Sequence, residues 1–285
     1  MQPSNRYKPG QGFIEYFLII VIVILSVCLV FILVPLAWAL SLSFDRAALT
    51  SLPEFSLIPH QPSTFNYQVA WDNLPMLRYY GNTLFLTAVN TAISVFTALM
   101  CGYAFSKGRF AGKNFWFVFM LAIMMIPFES RMIPLYLQYR SWGMLNTYFP
   151  LILGNFAYVY GVFFARSNID AIPDALRESA YLDGAREWTI FLRIILPLSK
   201  PLIATLSILQ VLANWNSYLW PLVVIRSNSM QVISVGVAFF NAQQDAYYYG
   251  PRMAVAVISA IPLICVFLAL QKNIVQSVAL TGVKQ

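Results

Sequence analysis

The chain has 285 residues, of which 59% are hydrophobic and only 10% charged, with a mean hydropathy of +0.67. A water-soluble domain carries about 25% charged residues, so this composition excludes an ordinary soluble globule and points to a membrane protein. The formal net charge of +7 does not indicate a nucleic-acid partner, because the basic residues fall in loops between apolar runs and form no stripe with interleaved aromatics.

Taken in chain order, apolar runs long enough to cross a bilayer recur six times. The first is Ile14 to Ser41, preceded by Arg6 and Lys8. It is far longer than the apolar core of a signal peptide (about 7–15 residues), so Ala37-Trp38-Ala39 reads as part of an uncleaved transmembrane helix. A polar loop with Pro53, Pro59 and Pro62 follows. The second span is Thr83 to Phe105. The third is Phe115 to about Leu137, interrupted by Pro127, Glu129, Arg131 and Pro134. The fourth is Tyr148 to Ala165, the fifth Leu202 to Ile225, and the sixth Ala254 to Leu270. No strand pattern of a membrane barrel is present, so helices must satisfy the backbone in lipid. The fold class is an all-α integral membrane protein, a single transmembrane domain over residues 1–285 with core helices at about 79–275.

Six spans place both termini on one side. Twelve basic residues collect there (Arg6, Lys8, Lys107, Arg109, Lys113, Arg166, Arg177, Arg186, Arg193, Lys200, Lys272 and Lys284). Six lie on the other side (Arg46, Arg78, Arg131, Arg140, Arg226 and Arg252). The positive-inside rule makes the first side cytoplasmic.

Between the fourth and fifth spans, residues 166–200 form a loop with the densest charge in the chain. Pro173 suits the first turn of a helix, Asp174 and Glu178 lie toward its positive end, and Gly184 is a natural stop. A second short helix can start at Ala185, with Trp188, Phe191, Ile194 and Ile195 at helical spacing, and Pro197 and Pro201 mark its exit. The reading is a basic helix–Gly–helix hairpin at the cytoplasmic surface. Taken alone, it is equally an interfacial segment that anchors the loop.

The order Glu178-Ser179-Ala180, Asp183-Gly184-Ala185, Ile194-x-Leu196-Pro197 resembles the EAA loop of ABC-importer permeases, with Ser179 in place of the usual first Ala. Asn66-Tyr67, Asn82-Thr83, Tyr103-Ala104-Phe105-Ser106, Leu145-Asn146-Thr147 and Trp215-Asn216-x2-Leu219-Trp220-Pro221 resemble the carbohydrate-uptake branch of that family. The tail Gln271-Lys272 to Gly282-Val283-Lys284 is similar to the ending of the maltose-type subunit, departing at Ser277-Val278-Ala279 and Gln285. The resemblance implies one of two permease subunits, paired with two ATPase subunits and an extracytoplasmic solute-binding protein, in a bacterial-type inner membrane. It implies coupling through Glu178, Ser179, Ala180, Asp183, Gly184, Ala185, Ile194 and Pro197. ATP and Mg are then bound by the partner subunits, and this chain needs no cofactor, no metal and no catalytic residue of its own.

Other readings carry less. Gly108-Arg109-Phe110-Ala111-Gly112-Lys113-Asn114 has the wrong spacing for a phosphate loop and no Ser or Thr for magnesium, so it is a basic turn. No paired carboxylates, nucleophile elbow or metal cluster suggest an enzyme. The single histidine, His60, sits in a polar loop, and Cys28, Cys101 and Cys265 lie inside apolar spans. An ion-coupled secondary transporter of small polar solutes is the alternative function. It would carry ionisable groups mid-membrane and an internal repeat, and neither is clear.

Two groups are candidates for a substrate pathway. Glu129 and Arg131 are costly in lipid and should face protein or water, unless the span ends near Pro127 and leaves them at the interface. Asn214, Trp215, Asn216, Tyr218 and Trp220 offer the amide groups and aromatic faces that polyhydroxylated solutes need. Helical spacing places Asn214 with Tyr218 and turns Asn216 elsewhere. The same residues can serve helix–helix hydrogen bonding. Gln243, Gln244, Asp245 and the three tyrosines from Tyr247 form an outer-loop cluster.

Overall fold

The computed structural model describes residues 11–49, 51–243 and 248–282, with side chains for 16–49, 51–242 and 248–268. The described chain is helical and falls into two compact units. One holds the elements up to Asn73 and the stretch Gln243–Ile258; the other holds Leu74–Ala242 and the chain from Ser259.

In the first unit, α1 (Gln11–Ser43) is strongly apolar and has no distinct polar face. A 3-10 turn (Arg46–Leu49) and α2 (Phe65–Asn73) follow. The loop between them is pinned at Asp45, which is only 1% exposed and accepts N–H bonds from Ala47, His60 and Gln61. The His60 ring adds a contact at 2.9 Å, so the lone histidine is a loop clasp. Asn66, fully buried, donates to the carbonyls of Leu42, Ser43 and Asp45.

The second unit is built round α3 (Met76–Lys107), which begins seven residues before the apolar run that foretold it. α4 (Lys113–Met124) and α5 (Phe128–Ser141) make up the third span, and the interruption expected at Pro127 is a bend of 96° between them. Pro127 is the cause, since it disfavours helix at the residue before it. α6 (Phe149–Leu153) and a 3-10 turn lead to α7 (Val159–Asp170). α3 and α7 pack so closely that a Cβ on Gly102 would sit 2.4 Å from the Ala165 Cβ and 2.9 Å from backbone. Small residues let membrane helices approach in this way.

α8 (Ala175–Leu182) and α9 (Glu187–Ile190) form the hairpin. α9 continues through a π-helical turn (Phe191–Ile195) into α10 (Leu196–Leu198) and bends by 78° at Ser199 into α11 (Lys200–Trp215). The expected fifth span also breaks. α11 stops at Trp215 and α12 (Leu219–Val224) starts afresh. A continuous helix would drive the Pro221 ring into the carbonyl of Ser217; the break leaves Pro221 in a first turn, where no N–H is needed. α13 (Ile233–Gln243) and α14 (Tyr249–Gly282) complete the described chain.

Among the described residues, four helices are long and apolar enough to cross a membrane, and up to six spans result when each bent pair counts as one. A core of Val95, Leu99, Ala165, Ile169, Phe191, Ile195 and Leu206 joins α3, α7, the hairpin's second arm and α11. A second cluster gathers Leu86, Leu151, Val224, Ile225, Val232 and Val235.

Candidate functional site

The hairpin closes on a helix-ending turn in which both hydrogen bonds are made. Ala185 N–H donates to Ala180 C=O and Gly184 N–H to Tyr181 C=O, each at 2.9 Å. This pair of bonds is the Schellman arrangement and needs a left-handed residue at Gly184, whose φ is +76°. The helix boundaries shift slightly from expectation. Pro173 lies just outside α8, because Asp174 is its cap, and the second arm begins at Glu187, because Arg186 is extended.

The candidate residues of this loop divide by exposure. Glu178, Ser179, Asp183, Gly184 and Pro197 are exposed, as is Leu182 at the tip, at 90%. Ala180, Ala185 and Ile194 turn inward and pack on the core shared with α3 and α7. The Asp174 carboxylate does not cap its own helix; it bonds Lys107 Nζ at 2.8 Å, which holds its carboxyl below the usual range. Ser106 donates to Asp170 at 2.6 Å, and Lys107 also donates to the Ile172 carbonyl. The end of α3 thus clamps the stretch of chain that leads into the hairpin.

One carboxylate escaped the sequence reading. Glu187 accepts hydrogen bonds from Tyr103 on α3 and from Tyr181 and Arg177 on α8, the Arg177 bond at 2.8 Å. The signal available was a Glu opening a helix just after a Gly stop, which reads equally as dipole compensation.

The second site is a cavity of about 340 Å³ inside the second unit. α3 contributes Thr83, Leu86 and Asn90, α5 contributes Phe128, Leu135 and Tyr139, and α11 with α12 contributes Gln210, Asn214 and Trp220. The polar edge is a chain of amides. Asn90 Nδ2 donates to Asn214 Oδ1 at 2.8 Å and to the Leu151 carbonyl at 3.1 Å. Asn214 Nδ2 donates back to Gln210. The buried Asn90 Oδ1 accepts from no protein donor. Aromatic rings form the facing wall, with Trp220 5.7 Å from Phe128 and 5.9 Å from Tyr139, and the Trp220 N–H held by the Pro150 carbonyl.

The pathway candidates are therefore dispersed. Asn214 lines this cavity and Asn216 a different pocket, beside Trp215 and Ser234, so the two amides do point apart. Tyr218 does not share a helix face with Asn214, because α11 ends between them. It lies 42% exposed and lines neither space. Glu129 and Arg131 are exposed on α5, while Phe128, Leu135 and Tyr139 of the same helix turn to the cavity. Asn90 and Gln210 were missed; a polar residue in the middle of an apolar run was the signal. Of the outer-loop cluster, Gln244, Asp245 and Tyr247 lie outside the described residues, as do Arg6, Lys8 and the tail from Val283.

Several motif residues prove to be packing devices. Asn82 donates to the carbonyls of Ser229 and Gln231 and accepts from Tyr148. Asn146, the sole non-glycine residue at positive φ (+59°) among those described, accepts from the N–H groups of Arg226 and Ser227.

Comparison with known proteins agrees with this architecture. Residues 91–280 match the family described as "Binding-protein-dependent transport system inner membrane component". The chain is 35% identical over 206 residues to the arabinooligosaccharides transport system permease protein AraQ of Halalkalibacterium halodurans, covering 72% of this chain and 74% of that protein. It is 33% identical to the probable ABC transporter permease protein YurM of Bacillus subtilis, covering 99% of this chain and 92% of the relative. A solved structure of a bacterial ABC transporter involved in the import of the acidic polysaccharide alginate superposes with a TM-score of 0.79 at 23% identity, covering 94% of this chain and 99% of the other. With its family match spanning most of the length and its fold shared, the chain belongs to the inner-membrane components of binding-protein-dependent transport systems, the permease subunits of ABC importers.

Proposed function

We propose that this permease forms half of the route by which a sugar, oligosaccharide or related polyol enters the cell, with a second permease subunit forming the other half. Several of its relatives are named as oligosaccharide or lactose permeases, which supports a carbohydrate substrate. Two ATPase subunits hydrolyse ATP with Mg, and an extracytoplasmic binding protein delivers the solute. The distribution of basic residues favours cytoplasmic termini and a cytoplasmic hairpin in a bacterial-type inner membrane.

The observation that carries the coupling role is the hairpin itself. A short helix and its cap, with Glu178, Ser179, Leu182 and Asp183 exposed, are fixed at the base to α3 and the core, while Leu182 at the tip is 90% exposed. This is the geometry of a docking element: the exposed face meets the motor and the buried face passes on its displacement. In the cavity, the chain's own residues can bind and orient. The free Asn90 Oδ1 accepts from a solute hydroxyl, and the Trp220, Phe128 and Tyr139 rings offer an apolar wall to a sugar's C–H face. The ion-coupled alternative gains no support, since Glu129 and Arg131 lie outside the cavity.

The test is Gly184→Val in the assembled importer. A β-branched residue at φ +76° costs roughly 1–3 kcal/mol and opens the turn. Transport and binding-protein-stimulated ATP hydrolysis should fall while membrane insertion survives. Wild-type transport in that variant refutes the coupling role.

A further inference from the structure

α3 belongs to both sites. Tyr103 near its end touches the hairpin, and Asn90, about 20 Å back along the same helix, edges the cavity. The contact at the hairpin end is Glu187. One carboxylate oxygen takes the Tyr103 hydroxyl and the other takes both Tyr181 and Arg177. The Arg177 guanidinium also lies over the Tyr181 ring, 5.2 Å from its centre. Glu187 is 54% exposed, so water alone would satisfy it. Three protein donors on a carboxylate in that setting add little stability, but they fix its position.

Movement of the hairpin has two ways into the membrane part. The covalent way runs through the π-helical turn, past Pro197, which has no N–H to continue the ladder, and round the 78° corner at Ser199. Such interruptions are where helices bend. The other way is short: from α8 through Glu187 to Tyr103 and the rigid length of α3, backed by Phe191, whose ring lies 5.6 Å from that of Tyr103. We propose that Glu187 is a positioning residue that joins the hairpin to α3 through Tyr103, so that displacement at the docking face is delivered along α3 to the cavity. This inference rests on the hairpin's coupling role proposed above.

The experiment uses the complete importer in proteoliposomes, with the three native cysteines replaced by Ala and Ser217→Cys as a reporter on the cavity wall. The probe is a small water-soluble thiol reagent, and the readout is the change in its labelling rate on adding ATP and vanadate. Tyr103→Phe removes one hydroxyl, and Glu187→Ala removes all three bonds. Each should reduce the nucleotide-dependent change about threefold, the scale of a half-exposed ion pair, while the complex assembles and hydrolyses ATP. Their combination should do no more than either alone. Glu187→Gln should restore the response, since its amide can keep the Tyr103 bond with donor and acceptor exchanged. An unchanged response in Tyr103→Phe, or additive effects in the pair, overturns the proposal; if Glu187→Ala does not assemble, Tyr103→Phe decides. Gly184→Val separates the two readings. If it too responds normally, the hairpin's coupling role fails. If it loses the response while Tyr103→Phe keeps it, only the Glu187 joint fails.

Discussion

The hairpin and the cavity both hang on α3 by long-range bonds, Tyr103 to Glu187 and Asn90 to Leu151, yet the hairpin's own turn is closed locally and the cavity's edge is not. The hairpin turn is closed by Ala185 on Ala180, and Arg177 meets Glu187 ten residues on. The cavity edge depends on Asn90 reaching Leu151, 61 residues away, and Asn214, 124 residues away. Local contacts let the hairpin fold and be perturbed as a unit. Long-range contacts make the cavity a property of the whole second unit, so damage there should appear as lost stability before it appears as altered transport.

The sharpest test of that contrast is Gly102→Leu. With backbone 2.9 Å from the position of a Cβ, the side chain must push α3 from α7, at about 3 kcal/mol. Thermal unfolding of the purified complex should shift down strongly; an unchanged midpoint would show that the two helices are not the frame of the cavity. Asn90→Leu comes next. It leaves the Asn214 oxygen without its donor, while the Leu151 carbonyl keeps its bond from Asn155, and roughly 2 kcal/mol of stability should be lost, with transport, in the same unfolding assay.

Changes in the hairpin should separate function from stability instead. Gly184→Ala places a Cβ where nothing lies within 4 Å, so only the left-handed backbone resists, at about 1 kcal/mol. Its unfolding midpoint should barely move, and its transport should lie between wild type and Gly184→Val. Equal loss in the two variants would mean the turn tolerates no strain at all. Asp174→Asn should have the smallest effect. The Lys107 bond lowers the Asp174 carboxyl, so its contribution is complete above the ordinary carboxylate pKa of about 4 and fades only as pH falls through the lower folded value. Coupled ATPase activity should therefore show the same ratio of variant to wild type at pH 6 and pH 8. A ratio that changes between those values would assign the titration to another group.

The same difference in range explains what could be read from the sequence. The Gly stop at Gly184 follows from chemistry within a few turns, and the structure gives that residue its left-handed φ. That Ala180, Ala185 and Ile194 turn inward was not legible, since the family motif put them with the coupling residues. Both breaks are marked by proline: the third span reads as interrupted at Pro127, whereas the expected fifth span runs straight through Pro221. That error put Asn214 and Tyr218 on one imagined face. Nothing near Asn90 in the sequence announces a partner 124 residues away, and Glu187 looks like any acidic residue at a helix start. Partners fixed by tertiary folding leave little local trace.

The first helix has a consequence of another kind. Its apolar stretch Tyr16–Ser43 is 28 residues, about 42 Å of helix against a hydrocarbon layer of about 30 Å. It must lean, bend at Pro35 or extend beyond the layer. Because it has no distinct polar face, the bilayer sets no preferred rotation about its axis. Thickness of the surrounding lipid therefore governs its slant, and contacts with the protein, such as the Asn66 bonds to its Leu42 and Ser43 carbonyls, fix which side it presents.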